Sequence, residues 1–82
     1  MNTEEIRRKI LEFLGTVAPE TDSAQLNSKE NIREAMGIDS FDFLNFVVMI
    51  DECFGIQTPE EDYGKLNSME DIIAYIQRRV VR

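Results

Sequence analysis

The residues best placed to do chemistry in this chain are Gly37-Ile38-Asp39-Ser40-Phe41-Asp42, which open its most apolar helix-length segment, residues 41–54. Asp39 can cap that helix, because its carboxylate can accept hydrogen bonds from the free backbone N–H groups of the first turn. Ser40 then takes the first helical position, hydroxyl outward, beside the positive end of the helix dipole. Unpaired N–H donors and the dipole both favour an anion there. A serine displayed in this way reads as a point of attachment for something phosphate-linked. It does not read as an attacking nucleophile.

What is missing supports that reading. The chain has no histidine, so neither a Ser-His-Asp nor a Cys-His arrangement can be built. A Ser-Lys pair would need Lys9, Lys29 or Lys65, and no local spacing joins any of them to Ser40. One cysteine cannot make a Cys/His zinc site. The acids around Ser40 lack the alternating ligands and terminal glutamate of a calcium loop. No catalytic residue and no metal site is expected, and the chain is read as a non-enzyme.

At 82 residues, 43% apolar and 30% charged, residues 1–82 are read as one small folded domain. The lone cysteine excludes an internal disulfide and points to a reducing, cytoplasmic setting. The segment Met1-Asn2-Thr3-Glu4-Glu5 has acids where a signal peptide carries bases, and no apolar run is long enough for a membrane span. The net charge of −7 is concentrated. Asp39, Asp42, Asp51, Glu52, Glu60, Glu61 and Asp62 occur with no Lys or Arg between Arg33 and Lys65. Such a surface repels nucleic acid and anionic membranes and steers basic protein surfaces toward itself.

The elements that position Ser40 can be read from periodicity and punctuation. Ile6, Ile10, Leu11, Phe13, Leu14 and Val17 recur at helical spacing behind an Asn2–Glu5 capping box, predicting a helix over about 3–16. Residues 19–36 form a long polar connection, containing Thr21, Asp22, Ser23, Gln25, Asn27 and Ser28. Leu26, Ile32 and Met36 should pin it to the core, with a helical turn or two within 28–35. The next helix covers 40–54, and Gly55 supplies its left-handed stop. Thr58-Pro59-Glu60-Glu61 predicts a short helix with Thr58 as cap, ending at Gly64. Ser68 and Asp71 start a last helix in which Met69, Ile72, Ile73, Ile76 and Val80 repeat, and Arg78, Arg79 and Arg82 complement its dipole. With no alternating strand, the expectation is an all-α four-helix bundle of three longer helices and one short one.

On the wheel of the 40–54 helix, Phe43, Phe46, Val47, Ile50 and Phe54 share one arc and should face the core. The opposite arc holds Asp42, Asn45, Met49 and Glu52, bordered by Phe41, Leu44 and Val48. Apolar groups rimmed by acids mark a protein-contact surface; the alternative is that they pack under the long connection. Cys53 falls near Phe46 and Ile50 and is read as a partly buried structural thiol. Tyr63 and Tyr75 are read as packing residues.

In this order and spacing the chain resembles the acyl carrier proteins, from the first helix through Val80. The motif Gly37-Ile38-Asp39-Ser40, the apolar and acidic helix after it, Phe54-Gly55-Ile56, Pro59-Glu60-Glu61-Asp62, Ile72 and Tyr75-Ile76 carry the resemblance. It implies that a phosphopantetheinyl transferase joins a 4′-phosphopantetheine arm from coenzyme A to Ser40 through a phosphodiester. Acyl groups would ride on the arm as thioesters, in fatty acid, lipid or polyketide-type biosynthesis. It also implies that the acidic 40–54 helix docks on basic patches of ligase, synthase or acyl-transferring enzymes. Phe46, Val47, Ile50, Phe54 and Ile73 would be the candidates to line an acyl pocket, and a monomer is expected. Asp39, where peptidyl carrier domains commonly have glycine or histidine, favours the acyl branch. Phe41, Met36, Ala35 and Asn45 depart from the housekeeping fatty-acid pattern and favour a specialised carrier beside a dedicated ligase or synthase, with housekeeping fatty-acid synthesis second. The alternatives are an aminoacyl or D-alanyl carrier with the same arm, and an unmodified acidic interaction module.

Overall fold

In the computed structural model, which describes residues 2–21 and 26–80, each long helix begins at a side-chain cap that the sequence supplies. Met1, Asp22, Ser23, Gln25 and Arg82, named above, lie outside the described residues. Helix α1 spans Thr3–Val17, where the Asn2 side chain accepts from the Glu5 N–H at 2.8 Å and the Glu5 carboxylate accepts from the Asn2 N–H at 3.2 Å. Its buried stripe is Ile6, Ile10 and Leu14. One turn inside the long connection becomes helix α2, Ile32–Met36, capped by Asn31 on the Glu34 N–H at 3.0 Å.

Helix α3 spans Ser40–Phe54, and its buried residues are Phe43, Phe46, Val47, Ile50 and Phe54, the arc its periodicity predicts. Gly37 after α2 and Gly55 after α3 sit at φ 64° and 67°, left-handed turns that L side chains adopt only with strain. A 3₁₀ helix covers Glu60–Lys65, and helix α4 spans Met69–Arg79 behind the Ser68 cap, whose Oγ accepts from the Asp71 N–H at 3.1 Å. The described residues are therefore all-helical, with three long helices and two short ones.

Helix α1 packs against both α3 and α4. Between them lies one core that includes Ile10, Leu14, Ile32, Phe46, Ile72 and Ile76, all with no measurable exposure. The connection before α3 is held as expected, by buried Ile32 and Met36 and partly buried Leu26. It is also fastened by backbone bonds from the Ile32 N–H to the Asn67 carbonyl at 2.7 Å and from the Glu70 N–H to the Ser28 carbonyl at 3.0 Å. At the outer ends of the chain, Gln77 donates to the Thr3 hydroxyl at 3.0 Å.

Two local readings need correction. Thr58 does not cap the 3₁₀ helix: Pro59 is at the cap position without a side-chain bond, and the helix runs one residue past Gly64 to Lys65. Thr58 turns back instead, its hydroxyl donating to Asp51 Oδ1 at 2.7 Å and its N–H to Asp51 Oδ2 at 3.1 Å. A carboxylate offers the stronger, charge-assisted acceptor. Cys53 is exposed rather than partly buried. At 100° per residue it lies about 20° outside Phe46, at the edge of the buried arc and in the last turn.

Candidate functional site

Gly37 follows α2 in a left-handed turn, and Ile38, buried, anchors the three-residue link to α3. Asp39 is extended, and its Oδ1 accepts from the Asp42 N–H at 2.8 Å. The cap leaves Ser40 as the first residue of a 15-residue helix, exposed to solvent.

The sequence did not disclose the neighbour of that hydroxyl. Arg33 Nη2 donates to Ser40 Oγ at 3.2 Å, and the guanidinium carbon lies 4.9 Å from the centre of the buried Phe43 ring. Arg33 is seven residues from Ser40, on the far side of the left-handed turn at Gly37. The one available signal was that Arg33 is the last base before the base-free stretch.

The outer face of α3 is largely as expected. Phe41 is 71% exposed, Leu44 43% and Val48 44%, so none of the three is packed under the long connection. Asn45 and Glu52 are exposed beside them, while Asp42 and Met49 are half-buried. Phe46, Val47, Ile50, Phe54 and Ile73 all join the single core cluster. The cleft near Ser40 is lined by other residues: Asn31, Arg33, Glu34, Ile38 and Asn67 surround about 350 Å³.

The acidic stretch is less uniform than the sequence suggests. Asp62 is buried and receives the Tyr75 hydroxyl at 2.8 Å, Arg79 at 2.8 Å and Lys65 at 3.2 Å. Asp51 is committed to Thr58. Dipole compensation, the role expected of Arg79, is thus only part of what it does. Tyr75 is a core residue with a polar task, and Tyr63 packs edge-on to Phe43 with ring centres 6.2 Å apart. No group of three or more His, Cys, Asp or Glu side chains among the described residues could hold a metal ion.

The described residues thus form a helical bundle that presents a capped, exposed serine at the start of α3. The family described as "Phosphopantetheine attachment site" matches residues 4–76. The acyl carrier protein of Campylobacter hominis is 39% identical over 90% of this chain and 87% of its own length. That of Akkermansia muciniphila is 35% identical over 92% and 88%. A solved acyl carrier protein structure from Enterococcus faecalis superposes with a TM-score of 0.80, covering 96% of this chain and 99% of that one at 23% identity, a likeness of fold. The chain belongs to the acyl carrier protein family.

Members of this family bear a covalently attached 4′-phosphopantetheine group, and they work with a phosphopantetheinyl transferase and with biosynthetic enzymes. The residues at Ser40 suit that group. Ser40 is exposed, and the start of α3 places a positive dipole end where the phosphodiester would lie.

Proposed function

We propose that Ser40 is the residue that takes the 4′-phosphopantetheine arm, and that the chain, as one domain of residues 1–82, carries acyl groups between enzymes without itself catalysing their chemistry. The observation that carries this reading is the position of Ser40 as the exposed first residue of α3, fixed from behind by the Asp39 cap at 2.8 Å. The arm supplies a terminal thiol on which acyl groups are held as thioesters. The Asp39 carboxylate takes up the Asp42 N–H of the first turn and leaves Ser40 exposed at the helix start. The buried arc of α3 packs the helix against the core, which suits a site that a separate enzyme must find and enter.

Phe41, Leu44 and Val48 form an apolar ridge, with Asn45, Met49, Asp42 and Glu52 around it, and this is the face for docking. Basic patches on the transferase and on ligase, synthase or acyl-transferring partners would be steered by the acids and held by the apolar groups. Phe46, Val47, Ile50, Phe54 and Ile73 are the residues an acyl chain would displace if it entered the core. The large exposed ring of Phe41, next to the attachment serine, favours a specialised carrier with dedicated partners. A cytoplasmic monomer is the corresponding state; no described helix is long and apolar enough to cross a membrane.

Intact-mass measurement of wild type and Ser40→Ala after incubation with coenzyme A and a transferase tests the assignment. Wild type should gain the mass of one arm and the variant none. An arm-sized adduct on Ser40→Ala would overturn it.

A further inference from the structure

Attaching a phosphodiester at Ser40 adds a negative charge to a segment that already holds Asp39 and Asp42. The positive end of α3 offsets roughly half a charge. A second cation is needed for full compensation, and no base occurs between Arg33 and Lys65. Lys65 is committed to Asp62. Arg33 is the base that the fold brings to the serine, at 3.2 Å from its oxygen.

The geometry suits anion binding better than it suits a structural role. A guanidinium has five N–H donors and no acceptor capacity. Among the described residues Arg33 takes part in no ion pair, and its one side-chain hydrogen bond goes to Ser40 Oγ. Stacking on Phe43, itself fixed in the core, restricts the long side chain before any ligand arrives. The donor is thus pre-positioned, and its planar fork matches two oxygens of a phosphate. Arg33 also forms part of the cleft that includes Asn31, Glu34, Ile38 and Asn67, so a linkage held by Arg33 starts the arm at that cleft.

We propose that Arg33 is a positioning residue for the attached arm: stacked on Phe43, it shifts its hydrogen bond from the Ser40 hydroxyl to the phosphodiester oxygens and restrains the arm's first bonds. This rests on Ser40 being the attachment point. In the unmodified protein the same N–H donates to a lone pair of the Ser40 oxygen, which orients the hydroxyl proton away from Arg33.

The test compares unmodified and modified forms of wild type, Arg33→Gln and Arg33→Lys. Intact mass is read first: if wild type gains no arm, the attachment reading fails and this proposal falls with it. If wild type is modified, melting temperatures of both forms are measured at low and at high salt. Arg33→Gln should lower the modified form's melting temperature by about 3 °C more than the unmodified form's at low salt, the scale of one exposed charge contact in a domain of this size. High salt should shrink that difference. Arg33→Lys should recover part of it, keeping the charge without the fork. The ³¹P resonance of the linkage should narrow in Arg33→Gln as the arm gains freedom. Equal destabilisation of both forms, with an unchanged ³¹P linewidth, would show that Arg33 only packs on Phe43 and would overturn the proposal.

Discussion

The Tyr75 hydroxyl donates to Asp62 Oδ2 at 2.8 Å, joining α4 to the 3₁₀ helix inside the protein. Arg79 reaches the same oxygen at 2.8 Å and Lys65 the other at 3.2 Å, so one buried carboxylate organises three donors. The Tyr75 hydrogen bond first, then that of Lys65, holds the Asp62 carboxyl below its ordinary value of 3.8, with burial partly opposing. Burial first, then the bond to Asp62, pushes Tyr75 above its ordinary 10.0.

These opposite shifts define a window of stability. Asp62 binds its proton more weakly folded than unfolded, so its contribution is complete above 3.8 and disappears as pH falls through the lower folded value. Tyr75 holds its proton more strongly when folded, so its contribution is complete below 10.0 and is lost as pH rises through the higher folded value. Thermal melts across pH should show Asp62→Asn less stable than wild type at neutral pH and converging on it in acid. Tyr75→Phe should flatten the alkaline decline. Parallel curves for wild type and Asp62→Asn would mean that the carboxylate contributes nothing in its charged form.

Asp39→Ala removes the α3 cap and leaves the Asp42 N–H without its acceptor. The expected loss is about 1 kcal/mol, or a fall of about 4–8 °C in melting temperature. Asp39→Ser should restore most of it. Modification of Ser40 should slow in the alanine variant even at temperatures where it is fully folded, because the first turn frays.

Charge and apolar contact on the outer face of α3 should separate kinetically. Glu52→Lys, at an exposed position, should slow transferase association at low salt and weaken its salt dependence. Val48→Glu should weaken binding at all salt concentrations, by about 1–3 kcal/mol if the valine is desolvated at the interface. Association and dissociation rates measured across salt would distinguish the two. Wild-type rates for both variants would remove this face as the docking surface.

Helix α3 was legible because both its ends carry local chemistry, a capping aspartate and a left-handed glycine, and its apolar arc is unbroken. The Asn2–Glu5 and Ser68–Asp71 caps were legible for the same reason. Thr58 was misread because a local cap pattern lost to a tertiary acceptor, Asp51. Asp62 reads as one of the surface acids because nothing in its own neighbourhood announces Tyr75 or Arg79. Arg33 escaped for a related reason: it and Ser40 lie on either side of the turn at Gly37, and periodicity describes helices but not the angle at which one follows another. At the candidate site, then, Asp39 and Ser40 could be read locally, whereas the cation beside them could not.

The bond from Gln77 to Thr3 joins positions 74 residues apart, between the first turn of α1 and the last turn of α4. The backbone therefore enters and leaves the bundle at neighbouring points. Spliced into a loop of a larger polypeptide, the bundle could hang from two closely spaced strands of linker without being stretched, and its ends could be joined and new ones opened elsewhere. The bundle would then be usable as a bead on a longer thread.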